Sequence, residues 1–158
     1  MAVPSCTFKL ATTKEEFKIA RNLFEEYATS LEIDLEFQGF TIELKTLSAI
    51  YSPPNGALIL AMIGDEVAGC SAVRRLEDQI AELKRMYIKP AHRGKGIGKS
   101  ILDYSIMQAR ALKYQYIRLD TLPSMTYAIH IYKSRGFYDI EPYRFNPVKG
   151  TRYLELIL

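Results

Sequence analysis

Three glycines, Gly94, Gly96 and Gly98, stand within five consecutive residues, and this stretch constrains the fold more than any other in the chain. Glycine lets the backbone turn tightly and lets its N–H groups approach a ligand without interference from a Cβ atom. A β-like run precedes the stretch, and a helix predicted to begin at about Ile97 follows it, with the positive end of its dipole at the loop. The pattern predicts a strand–loop–helix unit that binds phosphate or pyrophosphate. Three basic side chains add positive charge around it: Arg93, Lys95 and Lys99.

Length, composition and charge favour a single globular domain and argue against nucleic-acid-binding and membrane proteins. The chain has 158 residues, of which 48% are hydrophobic, so we expect a single domain over residues 1–158 with a substantial core. The net charge is only +3 and the basic residues are dispersed, which argues against a nucleic-acid-binding module. Neither a signal sequence nor an apolar run of membrane-spanning length is evident, so we expect no membrane association and a cytoplasmic location. Cys6 and Cys70 lie far apart without metal-ligand spacing, which predicts neither a disulfide nor a metal site.

The first half of the chain predicts a strand, a helix, a less regular covering segment and a β-hairpin. Thr13 and Glu16 form the T-x-x-E capping box that opens the first helix. The hairpin turns at Gly64 and Asp65. The predicted ranges are a strand at 6–11, a second short helix at 41–51, and hairpin strands at 57–63 and 66–75.

The strand predicted at 79–89 contains an irregularity. Its two-residue alternation of apolar side chains changes phase across Lys84 and Arg85, because one apolar series occupies 81 and 83 and the next occupies 86 and 88. An extra residue in a strand shifts the alternation in this way. We therefore predict a β-bulge at Lys84-Arg85 that bends the strand away from its neighbour.

The second half predicts alternating helices and strands. The ranges are a helix from about Ile97 to Leu112, a strand at 115–121, a helix that follows Pro123 and Ser124 and runs through Arg135 with Gly136 as its cap, and strands at 137–140 and 151–158. The order β-α-α-β-β-β-α-β-α-β-β indicates a mixed α/β sheet. The glycine loop then lies at the carboxyl end of a strand, where open α/β sheets bind ligands.

Two nucleotide-binding motifs compete for the loop. A Rossmann fingerprint would have an acid about 20 residues on, and Asp120 stands 22 residues after Gly98. Several elements precede this loop, however, whereas a Rossmann loop comes near the start of its unit. A P-loop is excluded, because no Gly-Lys-Ser/Thr follows a first glycine at the required spacing.

The run from Glu82 to Leu102, followed by IRLDT and AIHIYKSRGF, resembles the acetyl-CoA-binding half of the GNAT superfamily of N-acyltransferases. That family's pyrophosphate motif is Q/R-x-x-G-x-G/A, which Arg93, Gly96 and Gly98 match. Its later helix has a tyrosine followed by a Gly-Phe pair, matched here by Tyr132, Gly136 and Phe137.

The resemblance implies the fold and the cofactor. The expected fold is α/β (α+β), with a mixed, mostly antiparallel sheet, a splayed central strand pair and about four flanking helices. Acetyl-CoA would place its pantetheine arm between the splayed strands, and no metal is implied. Met125 stands where the family often has an asparagine, so either Ser124 is the substitute or this contact with the cofactor is missing. The implied cofactor-binding residues are Met86, Tyr87, Ile88, Arg93, Gly94, Lys95, Gly96, Ile97, Gly98, Lys99 and Ser124.

The resemblance also implies direct attack of a primary amine on the thioester of acetyl-CoA. Glu82 is the candidate general base, directly or through water, and Tyr132 is the candidate general acid for the departing thiolate. A backbone N–H near Tyr87 or Ile88 would stabilise the oxyanion. Structural roles remain open alternatives: Glu82 could be an ion-paired carboxylate, partnered by Lys84 or Arg118, and Tyr132 a core tyrosine.

The acceptor is the least defined part. Acids within 31–51 either favour a cationic amine or form only a solvated acidic face, whereas three residues near the C-terminus could hold a carboxylate and so favour an amino acid or peptide. The acids are Glu32, Asp34, Glu36 and Glu43, and the C-terminal residues are Tyr143, Arg144 and Arg152. The alternative class is a non-catalytic acyl-CoA sensor, with a Rossmann-like nucleotide-binding protein as a more distant third. Because 151–158 would form an exposed apolar edge strand, a homodimer is also expected.

Overall fold

Seven strands form one sheet in the computed structural model, which describes residues 5–158. The strands are β1 (Cys6–Leu10), β2 (Ala57–Ile63), β3 (Glu66–Glu77), β4 (Ile80–Ile88), β5 (Tyr116–Thr121), β6 (Tyr138–Asp139) and β7 (Arg152–Ile157). They lie in the order β1-β2-β3-β4-β5-β7-β6. Neighbours run antiparallel except β4 and β5, which run parallel. The predicted mixed, mostly antiparallel sheet is confirmed.

Five α-helices occur within residues 5–158, two of them short. They are α1 (Lys14–Leu31), α2 (Phe40–Lys45), α3 (Leu47–Ile50), α4 (Ile97–Ala111) and α5 (Thr126–Ser134). The capping box predicted for α1 is present: the Thr13 hydroxyl accepts a hydrogen bond from the Glu16 N–H, and the Glu16 carboxylate accepts one from the Thr13 N–H. None of the helices in this described part is long and apolar enough to span a membrane.

Different helices pack against the two faces of the sheet, as the alternating side chains of β2 show. Leu58 and Leu60 pack with α1 and α3 on one face, whereas Ile59 and Ala61 pack with α4 on the other. Side chains two residues apart share a face of a strand, so one apolar run serves both cores. The helix α5 packs beside α4 on its face of the sheet.

Strand β4 contains the predicted bulge. Cys70 of β3 pairs with Tyr87, and Ala72 pairs with Lys84, so two steps along β3 correspond to three along β4. Arg85 occupies the extra position with φ of +57°. A left-handed conformation costs a non-glycine residue about 1 to 2 kcal/mol. The bulge is therefore a strained feature that the surrounding structure must hold in place.

The bulge keeps one side of β4 apolar along its length. Ala81 and Leu83 before it, and Met86 and Ile88 after it, all pack in clusters that contain residues of α4. The change of phase seen in the sequence is thus a real change of register. As a result, Lys84 and Arg85 are free to point toward the opposite face, where α2 lies.

The central pair of strands separates after a short contact. The only β4–β5 pairs within residues 5–158 are Ile80 with Tyr116, Ala81 with Ile117, and Glu82 with Arg118. Beyond these pairs, β4 continues to Ile88 and β5 to Thr121 without bonding to each other. The predicted V-shaped opening is confirmed, and it lies between the bulge and the carboxyl end of β5.

Two details differ from the sequence-based expectations. The helix predicted at 41–51 is divided at Thr46 into α2 and α3, and a short 3₁₀ turn at Leu35–Gln38 precedes them. The last strand is not at the edge: β7 lies between β5 and β6, with β6 covering it at Leu154 and Glu155. Short β6 is the edge strand instead, so the argument from an open apolar edge was wrong, and a homodimer stays a prediction without it.

Candidate active site

A large cleft lies where β4 and β5 separate. Its volume is about 730 Å³, and it extends from the splayed strands to the glycine loop and the first turn of α5. Nine of the eleven predicted cofactor-binding residues line it: Met86, Tyr87, Ile88, Arg93, Gly94, Gly96, Ile97, Gly98 and Ser124. The other two, Lys95 and Lys99, are exposed beside the loop and are not part of its wall.

The glycine loop has the backbone that the sequence suggested. Gly96 is the N-terminal cap of α4 with φ of +79°, and Gly94 has φ of +78°. A Cβ atom at Gly96 would meet nothing within 4 Å, so conformation rather than space requires glycine there. At Gly98, a Cβ atom would make only an ordinary contact with Ile131, at 3.5 Å.

Arg93 joins the loop to β4. Its Nε donates a hydrogen bond to the Ile88 carbonyl at 3.0 Å, and its guanidinium lies 5.8 Å from the centre of the Tyr87 ring. The charge of Arg93 is thus fixed at the mouth of the cleft, beside the N-terminal end of α4. Positive charge, free helix N–H groups and a concave wall fit the pyrophosphate of a nucleotide-like ligand.

A second, smaller cavity adjoins the cleft. Its volume is about 40 Å³, enough for a few water-sized groups. Three residues line both spaces, which are therefore adjacent: Tyr27, Leu31 and Leu122. The other residues of the smaller cavity are Ile33, Leu35, Phe37, Gln38, Leu83, Lys84, Arg85, Asp120, Thr121 and Asn146. We call this space the acceptor cavity, after the role that we propose for it.

Glu82, the predicted base, lies in a cluster of positive charges. Its side chain is completely buried, and Oε2 contacts Nη2 of Arg144 at 2.5 Å and accepts a hydrogen bond from the Tyr143 hydroxyl at 2.7 Å. Oε1 lies 3.8 Å from Nε of Arg74 and 4.0 Å from Nζ of Lys84, and it has no hydrogen-bond donor within the described residues. Glu82 is therefore ion-paired, with Arg144 as its principal partner.

Arg118, one of the partners considered for Glu82, is engaged elsewhere. Its Nε contacts Glu155 at 2.7 Å and its Nη1 contacts Glu77 at 3.4 Å. Although Arg118 and Glu82 are paired through their backbones, their side chains do not form an ion pair. The other partner considered for Glu82 is Lys84. Its Nζ lies 4.0 Å from Oε1 of Glu82, so this ion pair is weaker than the one with Arg144.

Lys84 is a buried cation in the wall of the acceptor cavity. Its Nζ donates a hydrogen bond to Oε1 of Gln38 at 2.9 Å. Burial lowers the pKa of Lys84 to about 8, and the attraction of Glu82 opposes that shift. At neutral pH the ammonium form still predominates, so the cavity contains a positive charge with further N–H groups to donate.

Asp120 is the acidic residue of the acceptor cavity. Nδ2 of Asn146 donates a long hydrogen bond to Oδ2 at 3.3 Å. Among residues 5–158, no lysine or arginine nitrogen lies within 4.0 Å of this carboxylate, whereas Glu43 and Glu82 both have such partners. Asp120 was noted in the sequence only for its spacing of 22 residues from Gly98, which is close to that of a dinucleotide fingerprint, because its place beside Lys84 depends on the tertiary fold.

Tyr132, the predicted acid, is buried on α5. Its ring packs 5.7 Å from the ring of Phe137, and its neighbours Ala128 and Ile131 line the cleft. Burial, together with Tyr27 and the charge of Asp120, raises the pKa of Tyr132 well above its usual value. The hydroxyl therefore stays protonated at all ordinary pH values, which a proton donor requires.

The bulge is anchored by a buried ion pair. Nη2 and Nε of Arg85 contact the two oxygens of Glu43 at 2.6 and 3.1 Å, and the Tyr51 hydroxyl donates to the same carboxylate at 2.8 Å. Burial alone would raise the pKa of Glu43, but the hydrogen bonds and charge of Arg85 outweigh it and hold that pKa below its usual value. Helix α2 and strand β4 are thus joined at the strained residue.

The residues predicted to recognise the acceptor have other partners. Glu43 neutralises Arg85, Asp34 caps the 3₁₀ turn, and Glu36 accepts hydrogen bonds from Thr41, so these acids serve the covering segment itself. Glu32 is the left-handed C-cap of α1 and is not in the cavity wall. Near the C-terminus, Tyr143 and Arg144 bind Glu82, and Arg152 pairs with Asp139 at 2.7 Å. The acceptor hypotheses therefore stay predictions, and none of the residues that they named lines the smaller cavity.

The sequence profile of the acetyltransferase (GNAT) family matches residues 16–137, which include both halves of the cleft. The chain belongs to the GNAT family of acetyltransferases. An uncharacterized N-acetyltransferase of Schizosaccharomyces pombe is 34% identical over 150 residues, covering 94% of this chain and 90% of the relative. A second, from Dictyostelium discoideum, is 28% identical over 200 residues, covering 88% of this chain and 93% of the relative. The protein is therefore an acyltransferase of the N-acetyltransferase type.

Solved GNAT structures share the fold. An acetyltransferase from Streptococcus agalactiae aligns over 97% of this chain and 98% of its own, with a TM-score of 0.78 and 22% identity. A Bacillus subtilis acetyltransferase determined in complex with CoA aligns over 98% of this chain and 99% of its own, with a TM-score of 0.64 and 19% identity. No group of three or more His, Cys, Asp or Glu side chains that could hold a metal ion occurs in residues 5–158.

Proposed function

We propose that this GNAT protein transfers an acetyl group from acetyl-CoA to a primary amine of a small molecule, amino acid or peptide by direct attack. The observation that carries the proposal is the separation of β4 and β5 after three residue pairs, directly beside a positive-φ glycine loop. The B. subtilis structure in complex with CoA supports the choice of ligand. Acetyl-CoA, when bound, supplies the activated acetyl group; the protein supplies binding, orientation and proton transfer.

The backbone of β4 has donors available for this ligand. The Lys89 N–H donates to the Ala68 carbonyl on the β3 side. Because N–H groups alternate in direction along a strand, the N–H of Ile88 points to the other side, toward the opening. Ile88, rather than Tyr87, is therefore our candidate for a backbone donor to the ligand.

Gly96→Ala and Gly98→Ala form a matched pair that tests the loop. Gly96→Ala forces a left-handed alanine, which costs about 1 to 2 kcal/mol, so we expect CoA binding to weaken by roughly 10-fold as the loop relaxes. Gly98→Ala adds only one ordinary contact within a helix, where alanine is favoured, and should change CoA affinity by less than about 2-fold. Calorimetric titration with CoA measures the affinity of both variants. Equal losses of CoA affinity would contradict the claim that the left-handed conformation of Gly96 is needed for binding.

Glu82 is proposed to accept the proton of the amine, directly or through water. Its Oε2 is held by Tyr143 and Arg144, which leaves Oε1 as the oxygen that can take a proton. Glu82→Gln keeps the shape but removes the basic group, and we expect kcat to fall by about 10-fold or more. The control is CoA affinity, which should stay within about 2-fold. A kcat that is unchanged would assign Glu82 to the ion-pair cluster alone.

Direct attack is favoured over a cysteine-linked intermediate. Burial raises the pKa of Cys70 well above its usual value, so the thiol is a poor nucleophile, and Cys6 lies on edge strand β1. Initial velocities measured over a grid of acetyl-CoA and amine concentrations should give intersecting double-reciprocal lines. Parallel lines would indicate a covalent acetyl-enzyme and would contradict the mechanism.

A non-catalytic acyl-CoA sensor is the alternative function. The proton donor and acceptor candidates are both present, and a sensor requires neither. Release of free thiol from acetyl-CoA, measured with panels of amino acids, peptide amines and polyamines, separates the two. Turnover above the amine-free rate supports the enzyme, whereas CoA binding without turnover of any amine supports the sensor.

A further inference from the structure

We propose that the acceptor cavity selects an amine that also carries a carboxylate, as an α-amino acid does. In this arrangement, Lys84 binds the carboxylate of the acceptor and Asp120 binds its ammonium form before the proton is lost. The inference rests on the proposed function, because it names the class of acceptor for the same site. It differs from the sequence-based hypotheses in the residues that recognise each charge.

The charges around the cavity are the first argument. Three cations, Arg74, Lys84 and Arg144, surround the single carboxylate of Glu82 at 3.8, 4.0 and 2.5 Å. Even with Asp120 acting on Lys84 and Arg144 at longer range, two carboxylates face three cations, and Arg144 takes the shortest contact with Glu82. Lys84 is the member of this group that lines the cavity, so the excess positive charge is presented to whatever enters. A buried charge is stabilised when a ligand supplies the opposite one.

The donors of Lys84 are the second argument. An ammonium has three N–H groups, and Gln38 accepts from one of them at 2.9 Å. A carboxylate in the cavity would accept from another, making a charge-assisted hydrogen bond in a site shielded from water. Gln38 holds the ammonium in position for this contact, because its own side chain is part of the cavity wall.

Asp120 supplies the complementary charge. It lines the same cavity, and its partner there is the neutral amide of Asn146. A polyamine or other purely cationic acceptor would satisfy Asp120 but would also face Lys84, and like charges repel strongly in a buried site. A zwitterion satisfies both. The rest of the wall combines apolar side chains such as Leu31, Ile33 and Phe37 with uncharged polar ones and Arg85, and it adds no second carboxylate for a second ammonium group.

The test measures binding separately from turnover. Calorimetry on CoA-saturated protein compares each of the common L-α-amino acids with its methyl ester and with its decarboxylated amine. At least one amino acid should bind about 10-fold or more tightly than both derivatives, since hydrogen bonds to charged groups are worth that much. Equal binding of acid, ester and amine in every set, or no binding of any of them, would overturn the inference.

Variants assign the two charges. Lys84→Met keeps the length of the side chain and should abolish the preference for the acid while leaving ester binding within about 2-fold, whereas Lys84→Arg should retain the preference. Asp120→Asn should weaken the acid and the amine alike. Lys45→Met is the matched control, because Lys45 is an exposed lysine of α2 outside the cavity wall. An equal loss of acid and ester binding in Lys84→Met would contradict the assignment, and melting temperatures identify any variant that does not fold.

The same sets, assayed for thiol release, distinguish this inference from the proposed function. Carboxylate-dependent binding without thiol release would mean that the inference holds and that acetyl transfer to this class fails. Thiol release with equal kcat/KM for acid and ester would mean that acetyl transfer occurs and that the inferred carboxylate recognition fails. Both results together, binding preference and turnover, support the two proposals jointly.

Discussion

Replacing Glu43 by Gln is expected to lower the free energy of unfolding by about 3 to 5 kcal/mol, because it leaves the buried Arg85 guanidinium without its counter-ion. Arg85 also occupies the strained position of the β4 bulge, with φ of +57°, so its ion pair with Glu43 holds an unfavourable conformation in place. Urea unfolding of both proteins at pH 7 measures the difference directly.

The control for this prediction is an exposed pair of the same kind. Nε of Arg21 and Oε1 of Glu25 lie 3.3 Å apart on α1, and each side chain is 50% exposed. Solvent screens such a pair, so Glu25→Gln should change the free energy of unfolding by less than about 0.5 kcal/mol. A similar small loss for Glu43→Gln would show that the buried pair is not an anchor.

The loss at Glu43 should also depend on pH in a defined direction. The folded-state pKa of Glu43 is depressed, so the carboxylate contributes stability that is present above its unfolded pKa. That contribution is lost as the pH falls through the lower, folded-state pKa. The difference between the wild-type protein and Glu43→Gln should therefore be full above about pH 5 and should shrink in more acidic solution.

Replacing Tyr132 by Phe is expected to lower kcat by about 100-fold or more while CoA affinity stays within about 2-fold. Phenylalanine keeps the ring contact with Phe137 but removes the proton that the departing thiolate would receive. Because the raised pKa of Tyr132 keeps the hydroxyl protonated, the loss should be the same from pH 6 to pH 9. Thiol release at saturating acetyl-CoA and amine measures kcat.

Tyr104→Phe is the matched control for Tyr132→Phe. Tyr104 lies on α4 and packs against Phe8 of β1, with ring centres 5.3 Å apart, and it is not a candidate proton donor. Its kcat should remain within about 2-fold of the wild-type value. A kcat for Tyr132→Phe that matches the control would assign Tyr132 to the core alone and would leave the thiolate to be protonated by solvent.

Local patterns in the sequence predicted much of the fold. The capping box, the glycine loop and the change of phase in β4 are each encoded within a few residues, so they could be read without knowing any distant partner. The extra residue at Arg85 is the clearest case, because a two-residue period cannot shift without one. The bulge also predicted that β4 bends away from a neighbouring strand, and the family resemblance supplied the identity of that neighbour, β5, which no local pattern gives.

The acceptor site could not be predicted in the same way, because its charges are partitioned by contacts between distant segments. Glu43 pairs with Arg85, which is 42 residues further along the chain, and Tyr143 donates a hydrogen bond to Glu82 across a separation of 61 residues. An acid that is neutralised by such a partner has no charge left for a ligand. Lys84 was noted in the sequence only for the bulge and as a partner of Glu82, and Asp120 only for a dinucleotide fingerprint, because nothing local shows that the fold brings the two residues to one cavity.

The separation of β4 and β5 gives this sheet four open backbone edges rather than two. The outer two edges belong to β1 and β6, the first and last strands of the sheet. The inner two belong to β4 and β5, which face each other across the cleft. An open edge normally invites another protein's strand, and with it aggregation. Here the inner edges face the cleft, whose wall includes the first turns of α4 and α5. A thin, extended chain with amide groups of its own is the kind of ligand that pairs with such an edge, so it would complete the sheet as an eighth strand.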